Sequence, residues 1–182
     1  MSVEQDVWAW LRQRGAEAVE HPGGSLYAHL SRVHDRLGRL GLEADVQLAG
    51  LTHAVYSTDG FDVVLLDRTE RATLQNLIGE PAECLVYLYG VCDRRRSWQR
   101  LPSTSEVWDR FTGRARTLSP GQLQQFVDLN IVNELDVIEQ SPAIAEKYGA
   151  YFRSLFACWS AVASSQVTSE AQRVLGLKCH GG

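Results

Sequence analysis

Two histidines lie on helical faces that are otherwise apolar. His29 stands in the run "LYAHLSRVHDRLGRLG", at the edge of a stripe of leucines and a valine spaced by three and four residues. His53 stands in "VQLAGLTHAVY", one heptad after Val46 and on the same face as Ala49 and Gly50, the smallest residues there. Because a helix turns about 100° per residue, both imidazoles are expected to point into the protein interior.

Three further polar side chains share this inward orientation on two later helices. Asp93 follows Val86 by seven residues and Tyr89 by four, while Asn130 and Glu134 share the apolar face of a later helix. A buried polar group without a partner costs about 1–3 kcal/mol, so these groups are expected to meet around a common centre. Imidazoles and a carboxylate from separate helices are typical ligands of Zn, Fe or Mn, which predicts one divalent transition metal as cofactor.

Each of these residues also has a simpler explanation. A single histidine on an apolar face is more often a hydrogen-bonded core residue than a metal ligand. Asp93 could pair with the arginines that follow it at the end of its helix, and Asn130 could bond to a neighbouring helix. Spacing alone does not decide between these interpretations, because the residues lie on separate helices.

The elements that must position these groups are nearly all predicted to be helices. Capping residues, glycine stops and apolar stripes indicate helices at about 3–15, 26–41, 46–56, 69–79, 81–96, 119–140 and 142–162. The tail to residue 182 is expected to add a short helix or to fray. The sequence therefore predicts an all-α fold, a single-domain bundle of about seven helices spanning residues 1–182.

Composition limits the class of protein. The chain has 182 residues, a net charge of -4, 45% hydrophobic residues and 22% charged residues. It offers no basic footprint for a nucleic acid and no apolar run near the ~20 residues of a membrane span, so a cytoplasmic protein without either partner is expected. The aromatic-rich segment at 98–111 is interpreted as a lid over the site or as a contact in a homodimer.

The arrangement "HLSRVHDRLGRLG...DVQLAGLTHAVY...ECLVYLYGVCDR" resembles the HD-domain superfamily of helical metal-dependent enzymes. The resemblance covers about residues 18–96. Within it, "HPGGSLYAHL" together with "AGLTHAVYST" is similar to a branch of short bacterial HD-like proteins of unknown function.

The resemblance implies a ligand set. It makes His29 the first metal ligand, His53 the histidine of the His-Asp dipeptide and Asp93 the last carboxylate. Ala54 stands where the superfamily has the aspartate of that dipeptide, which favours a one-metal site or none. His21, in the "HPGG" context that the similar short proteins share, is then expected to be the fourth ligand.

The predicted function is that of a metal-dependent enzyme with a mononuclear site acting on a small polar molecule, by hydrolysis or by Fe(II)-type oxidation. Glu134 and Tyr56 are the expected catalytic residues, with Glu134 as the general acid or base. Tyr56 and Asn130 are expected to orient the substrate, and Arg94 or Arg95 to bind an anionic group of it. Two alternatives stay open: a non-catalytic small-molecule binding module with a degenerate HD site, and a structural domain with a buried hydrogen-bond network.

Overall fold

Residues 2–176 are described by a computed structural model, in which helices make up most of the chain. In chain order the helices are α1 (Val3–Gln13), α2 (Leu26–Arg39), α3 (Ala44–Thr52), α4 (Arg71–Ile78), α5 (Glu80–Val91), α6 (Arg94–Ser97), α7 (Leu101–Thr104), α8 (Pro120–Gln140), α9 (Pro142–Trp159) and α10 (Ser165–Leu175). Two short antiparallel hairpins interrupt them: β1 (Glu20–His21) with β2 (Gly24–Ser25), and β3 (Glu106–Asp109) with β4 (Arg114–Thr117).

Serine caps begin α2 and α8, two helices that carry predicted site residues. Ser25 accepts a hydrogen bond from the Ala28 amide at 3.2 Å and begins α2. Ser119 and Gln122 form a capping box that begins α8, with Pro120 in its first turn. Such caps satisfy amides that have no partner within the helix, which is why the sequence signals located both starts.

Helix α3 occupies the centre of the bundle, where it contacts α2, α5 and α8. Gly50 allows the close approach of α2, because a Cβ at that position would lie 2.3 Å from Leu37 Cδ1. The side chains of Val46, Ala49 and Leu51 are almost completely buried. His53 is the C-cap that directly follows the last residue of this central helix, so the interior of the bundle determines where its ring lies.

The predicted fold class is confirmed: residues 2–176 form one all-α helical domain, in which eight helices (α1 to α5 and α8 to α10) have eight residues or more. The helix expected in the tail is α10, and residues 177–182 lie outside the described part of the chain. Among the described residues, no helix is both long and apolar enough to cross a membrane.

Two predicted helix ends were wrong by four and five residues, more than any other, and both errors bear on the site. Helix α3 ends at Thr52, not at residue 56, and the chain then turns through Ser57, whose φ is 69°. Helix α5 ends at Val91, not at residue 96, because Cys92 becomes extended and pairs with Asp109 of β3. Residues 98–118, which include the aromatic-rich segment at 98–111, contain α7 and the β3–β4 hairpin.

Candidate functional site

A cavity of about 230 Å³ opens where the β1–β2 hairpin meets α2, α8 and the end of α3. Its floor carries His29 and His53, and its walls carry Tyr89, Arg94 and Glu134. This cavity brings together the side chains that the helical faces predicted to meet, with exceptions described below.

His29 and His53 face one another through their Nε2 atoms, which lie 3.3 Å apart. His29 Nδ1 lies 2.6 Å from Asp136 Oδ2, and His53 Nδ1 donates to the Gly50 carbonyl at 2.8 Å. A carbonyl only accepts, so the proton of neutral His53 is on Nδ1 and its Nε2 presents a lone pair to the cavity. Burial lowers the pKa of His53 to about 3, so this ring is neutral at pH 7.

Asn133 adds a third acceptor beside the two imidazoles. Its Nδ2 donates to Glu134 Oε1 at 2.9 Å, which leaves Oδ1 facing His29 Nε2 at 2.9 Å. Arg94 Nη1 donates to the same Glu134 oxygen at 3.0 Å. Two imidazole nitrogens and an amide oxygen thus converge on one point, where only a proton or another cation can make them mutually attractive.

His21 lies against the other face of His29. The two rings stack with centroids 4.0 Å apart and an angle of 26° between their planes. The Nδ1 atom of His21 is buried and makes no hydrogen bond of standard geometry among the described residues, although the Pro22 backbone acts on the ring. Burial, with His29 next to it, lowers the pKa of His21 to about 4, so its ring is also neutral at pH 7.

The loop that follows α3 forms the rim of the cavity. Thr58 and Phe61 pair with each other across a tight turn, and Phe61 meets the ring of His21 edge-on at 5.5 Å. Asp59 Oδ2 accepts the Arg94 amide at 2.9 Å, which fastens the loop to α6. Ala54 lies in the cavity wall and contributes no donor or acceptor side chain there.

Asp93 and Arg95 lie outside the cavity, contrary to the predicted set. The Asp93 carboxylate caps α6 by accepting the Arg96 amide at 3.0 Å, and it also lies 3.8 Å from the Arg96 guanidinium. Its position follows from the early end of α5, since the chain changes direction before residue 93. Arg95 is exposed on α6.

Tyr56 and Asn130 also point elsewhere. The Tyr56 hydroxyl donates to Glu83 Oε1 at 2.9 Å in a separate buried cluster. Asn130 Nδ2 donates to the Phe126 carbonyl of its own helix at 2.7 Å, which is a local bond rather than a contact to a ligand. Glu134 and Arg94 do line the cavity, as do all three predicted histidines.

Asp136 and Asn133 were missed by the sequence interpretation. Helix α8 is buried around nearly its whole circumference, from Phe126 to Asp136, so an apolar stripe does not single out the face that meets His29. A usable signal was present: Asn130, Asn133, Glu134 and Asp136 are four polar residues within seven positions of a buried helix. Buried polar groups in that number require partners.

The geometry of the imidazole pair can be compared with that of a metal site. Tetrahedral coordination with metal–nitrogen bonds of ~2.0–2.1 Å separates two ligand nitrogens by about 3.3–3.4 Å, which matches the separation of the two Nε2 atoms. Within residues 2–176, however, no group of three or more His, Cys, Asp or Glu side chains is already arranged to hold a metal ion. Two imidazole nitrogens therefore lie at a separation that metal ligands also have, and within residues 2–176 no third His, Cys, Asp or Glu side chain completes such a group.

The fold and cavity define an all-α protein with a buried histidine cluster. The profile of one protein family, described as "Domain of unknown function (DUF6817)", matches residues 10–94. That segment contains His21, His29 and His53, whereas Asn133, Glu134 and Asp136 lie beyond it. No curated protein and no solved structure matches the chain.

Proposed function

We propose that this cavity is the site of a metal-dependent enzyme that binds one divalent transition metal through His29 Nε2 and His53 Nε2. The observation that carries the proposal is the 3.3 Å separation of these two atoms, each on a ring whose Nδ1 is anchored. Metal-binding histidines characteristically donate their second nitrogen to a carboxylate or a backbone carbonyl, and the two rings here use one of each.

His21 is proposed as the third ligand. Its ring already lies against His29, and its buried Nδ1 is without a partner among the described residues. It is carried by a two-residue strand next to Gly23 and Gly24, whose φ values are 80° and 125°. A small rotation of this side chain is required, because the ring stacks on His29 instead of meeting it edge to edge. Asp93 is not among the proposed ligands, because it lies outside the cavity and caps α6.

The charges around the cavity favour a bound cation. Of the lining residues, Asp59 and Glu134 carry carboxylates and Arg94 carries a guanidinium, which sums to 2 negative and 1 positive charge, or -1. The His21 and His53 rings add no charge at pH 7, since their pKa values lie near 4 and 3. A divalent ion would reverse the sign of the local charge and so prepare the cavity for an anionic substrate.

The cavity volume limits the substrate to a small molecule. About 230 Å³ corresponds to roughly eight water molecules at ~30 Å³ each. A metal in this position would polarise a substrate oxygen or lower the pKa of a bound water toward ~7. Glu134 would accept or return a proton and Arg94 would hold an anionic group, in a hydrolysis or, with iron, an oxidation.

One observation favours a second candidate, a small-molecule binding module without catalysis. Glu134 Oε1 already accepts hydrogen bonds from both Arg94 and Asn133. Both bonds occupy the same carboxylate oxygen, so that oxygen is less accessible to a proton of a substrate. In that case the cavity would bind a metal and a small ligand without catalysing a reaction.

Metal titration of the apo protein tests the proposal. We expect one Zn²⁺ per chain by isothermal titration calorimetry, and weak or absent binding in the His29→Ala and His53→Ala variants. Asp93→Asn is the matched control, because Asp93 lies outside the cavity, and its affinity should equal that of the wild type. Absence of binding by Zn²⁺, Mn²⁺ and Fe²⁺, or equal binding by His53→Ala, contradicts the proposal.

A further inference from the structure

Arg32 lies between two parts of the site without lining the cavity. Its Nε donates to Asp136 Oδ1 at 2.8 Å and its Nη2 donates to Asp136 Oδ2 at 2.9 Å, a two-pronged ion pair. The same guanidinium donates to the Pro22 carbonyl at 3.2 Å and to the Gly23 carbonyl at 3.4 Å. One side chain therefore holds α8 and the turn of the β1–β2 hairpin at once.

Both groups held by Arg32 act on the histidine cluster. Asp136 fixes the orientation of His29 through Nδ1 at 2.6 Å, and the hairpin carries His21, which stacks on His29. A guanidinium suits this position because its planar fork provides five donors in fixed directions.

We propose that Arg32 is a positioning residue that couples the hairpin carrying His21 to the Asp136–His29 pair, and so sets how the imidazoles meet. The inference rests on the proposed function in that the coupled rings are its ligands. A purely structural role, tying α2 to α8, is already filled one turn later by Arg36, which pairs with Glu139. Arg32 differs from Arg36 in its bonds to the hairpin.

The first test compares the Zn²⁺ affinity of Arg32 and Arg36 variants by calorimetry. Arg32→Gln should weaken binding about 10- to 100-fold, the range seen when a group that orients a ligand is lost. The Zn²⁺ affinity of Arg32→Lys should lie between those of Arg32→Gln and the wild type, since lysine keeps the positive charge but lacks the planar set of donors. Arg36→Gln is the matched control and should keep the wild-type affinity even where its melting temperature falls.

A double-mutant cycle with His21→Ala then isolates the coupling to the hairpin. In the His21→Ala background, the loss of affinity caused by Arg32→Gln should shrink by at least about threefold, as expected for residues of one network. An undiminished loss would mean that Arg32 acts through Asp136 alone, which overturns the coupling.

A readout that needs no metal separates this inference from the proposed function. In the apo protein, amide hydrogen exchange across residues 19–26 should be about tenfold faster in Arg32→Gln than in the wild type or in Arg36→Gln. If the wild type binds no metal but the hairpin still loosens, the proposed function fails and the positioning role of Arg32 stands. Equal exchange in all three proteins overturns that role.

Discussion

Two buried polar clusters in this protein differ in whether their hydrogen bonds are complete. Around Glu83, whose side chain is fully buried, four donors meet two carboxylate oxygens. Tyr56 and Arg71 donate to Oε1 at 2.9 and 2.7 Å, while Arg71 and Gln75 donate to Oε2 at 2.6 and 3.0 Å. Each of these four donor atoms has a carboxylate acceptor and both oxygens of Glu83 are used, so this cluster holds α4 to α5.

The histidine cluster has the opposite character. Nε2 of His29 faces Nε2 of His53 and the amide oxygen of Asn133, while His21 keeps a buried nitrogen without a partner among the described residues. Natural proteins rarely leave buried polar groups unsatisfied, so each exception needs an explanation. Within residues 2–176, three other buried atoms outside the cavity, His34 Nε2, Arg36 Nη1 and Trp98 Nε1, share this property with His21 Nδ1. The histidine cluster differs from them because its nitrogens face one another in a cavity that a ligand can enter.

The largest effect should come from removing a ligand of the incomplete cluster. His53→Ala should weaken Zn²⁺ binding by more than the ~100-fold upper end seen for residues that only orient ligands. Glu83→Gln, in the complete cluster, should leave the affinity unchanged when measured at a temperature where the variant is folded. Calorimetric titration of both variants checks this, and a loss of affinity in Glu83→Gln would contradict the distinction.

The complete cluster should instead govern stability. Glu83→Gln removes the charge that pairs with Arg71 and should lower the free energy of unfolding by about 3 kcal/mol, the low end for a broken buried pair, because Arg71 is one-third exposed. Urea unfolding of the wild type and the variant measures it. A change below about 0.5 kcal/mol would show that the cluster does not stabilise the fold.

Asp136→Asn should change the histidine cluster without removing a ligand. An asparagine can present its amide donor to His29 Nδ1 and so favour the wrong tautomer, placing a proton on Nε2. We expect a 10- to 100-fold weaker affinity for Zn²⁺. Nitrogen-15 NMR of the His29 ring in the apo protein should show the change of tautomer. Unchanged ring nitrogen shifts would contradict the role of Asp136 in fixing that tautomer.

Acid should destabilise the metal-free protein through its histidines. The pKa of His53 is lowered to about 3 in the folded protein. Below pH ~6.5, His53 therefore takes up a proton in the unfolded chain but not in the folded protein. Stability therefore falls as the pH drops from 6.5, by up to ~1.4 kcal/mol per pH unit for this proton. His21, with a lowered pKa of about 4, acts in the same direction.

Asp128 opposes this trend and provides a control. Burial raises its pKa to about 6, so the folded protein takes up this proton first and gains stability as the pH falls from 6 to about 4. Asp128→Asn removes the opposing effect, so its stability should fall more steeply between pH 7 and 5 than that of the wild type. Urea unfolding at both pH values measures the slopes, and a flat profile in Asp128→Asn would contradict the assignment.

The smallest effect is expected for Tyr56→Phe. Loss of the hydroxyl removes one of the four hydrogen bonds to Glu83 and should lower the free energy of unfolding by about 1 kcal/mol. The affinity for Zn²⁺ should not change, because Tyr56 belongs to the complete cluster. A loss of Zn²⁺ affinity in this variant without a loss of stability would show that Tyr56 belongs to the site.

How far the site could be predicted depends on where helices end. His29, His53 and Glu134 were correctly expected to face a common interior, because periodicity holds along a helix and the His53 cap keeps helical φ and ψ values. Asp93 and Tyr56 were misplaced because α5 and α3 end before reaching them. Asp136 was missed because α8 is buried on nearly all sides, so its polar residues had no exposed face to contrast with.

Anomalous X-ray scattering from crystals grown with Zn²⁺ would locate a metal ion bound by the two histidines. We expect one anomalous peak in the cavity, about 2.0–2.1 Å from both His29 Nε2 and His53 Nε2, with His21 rotated from its stacked position toward the ion. The absence of a peak at that position, with the two nitrogens remaining in direct contact, would contradict the proposed metal site and leave a proton as the cation that joins them.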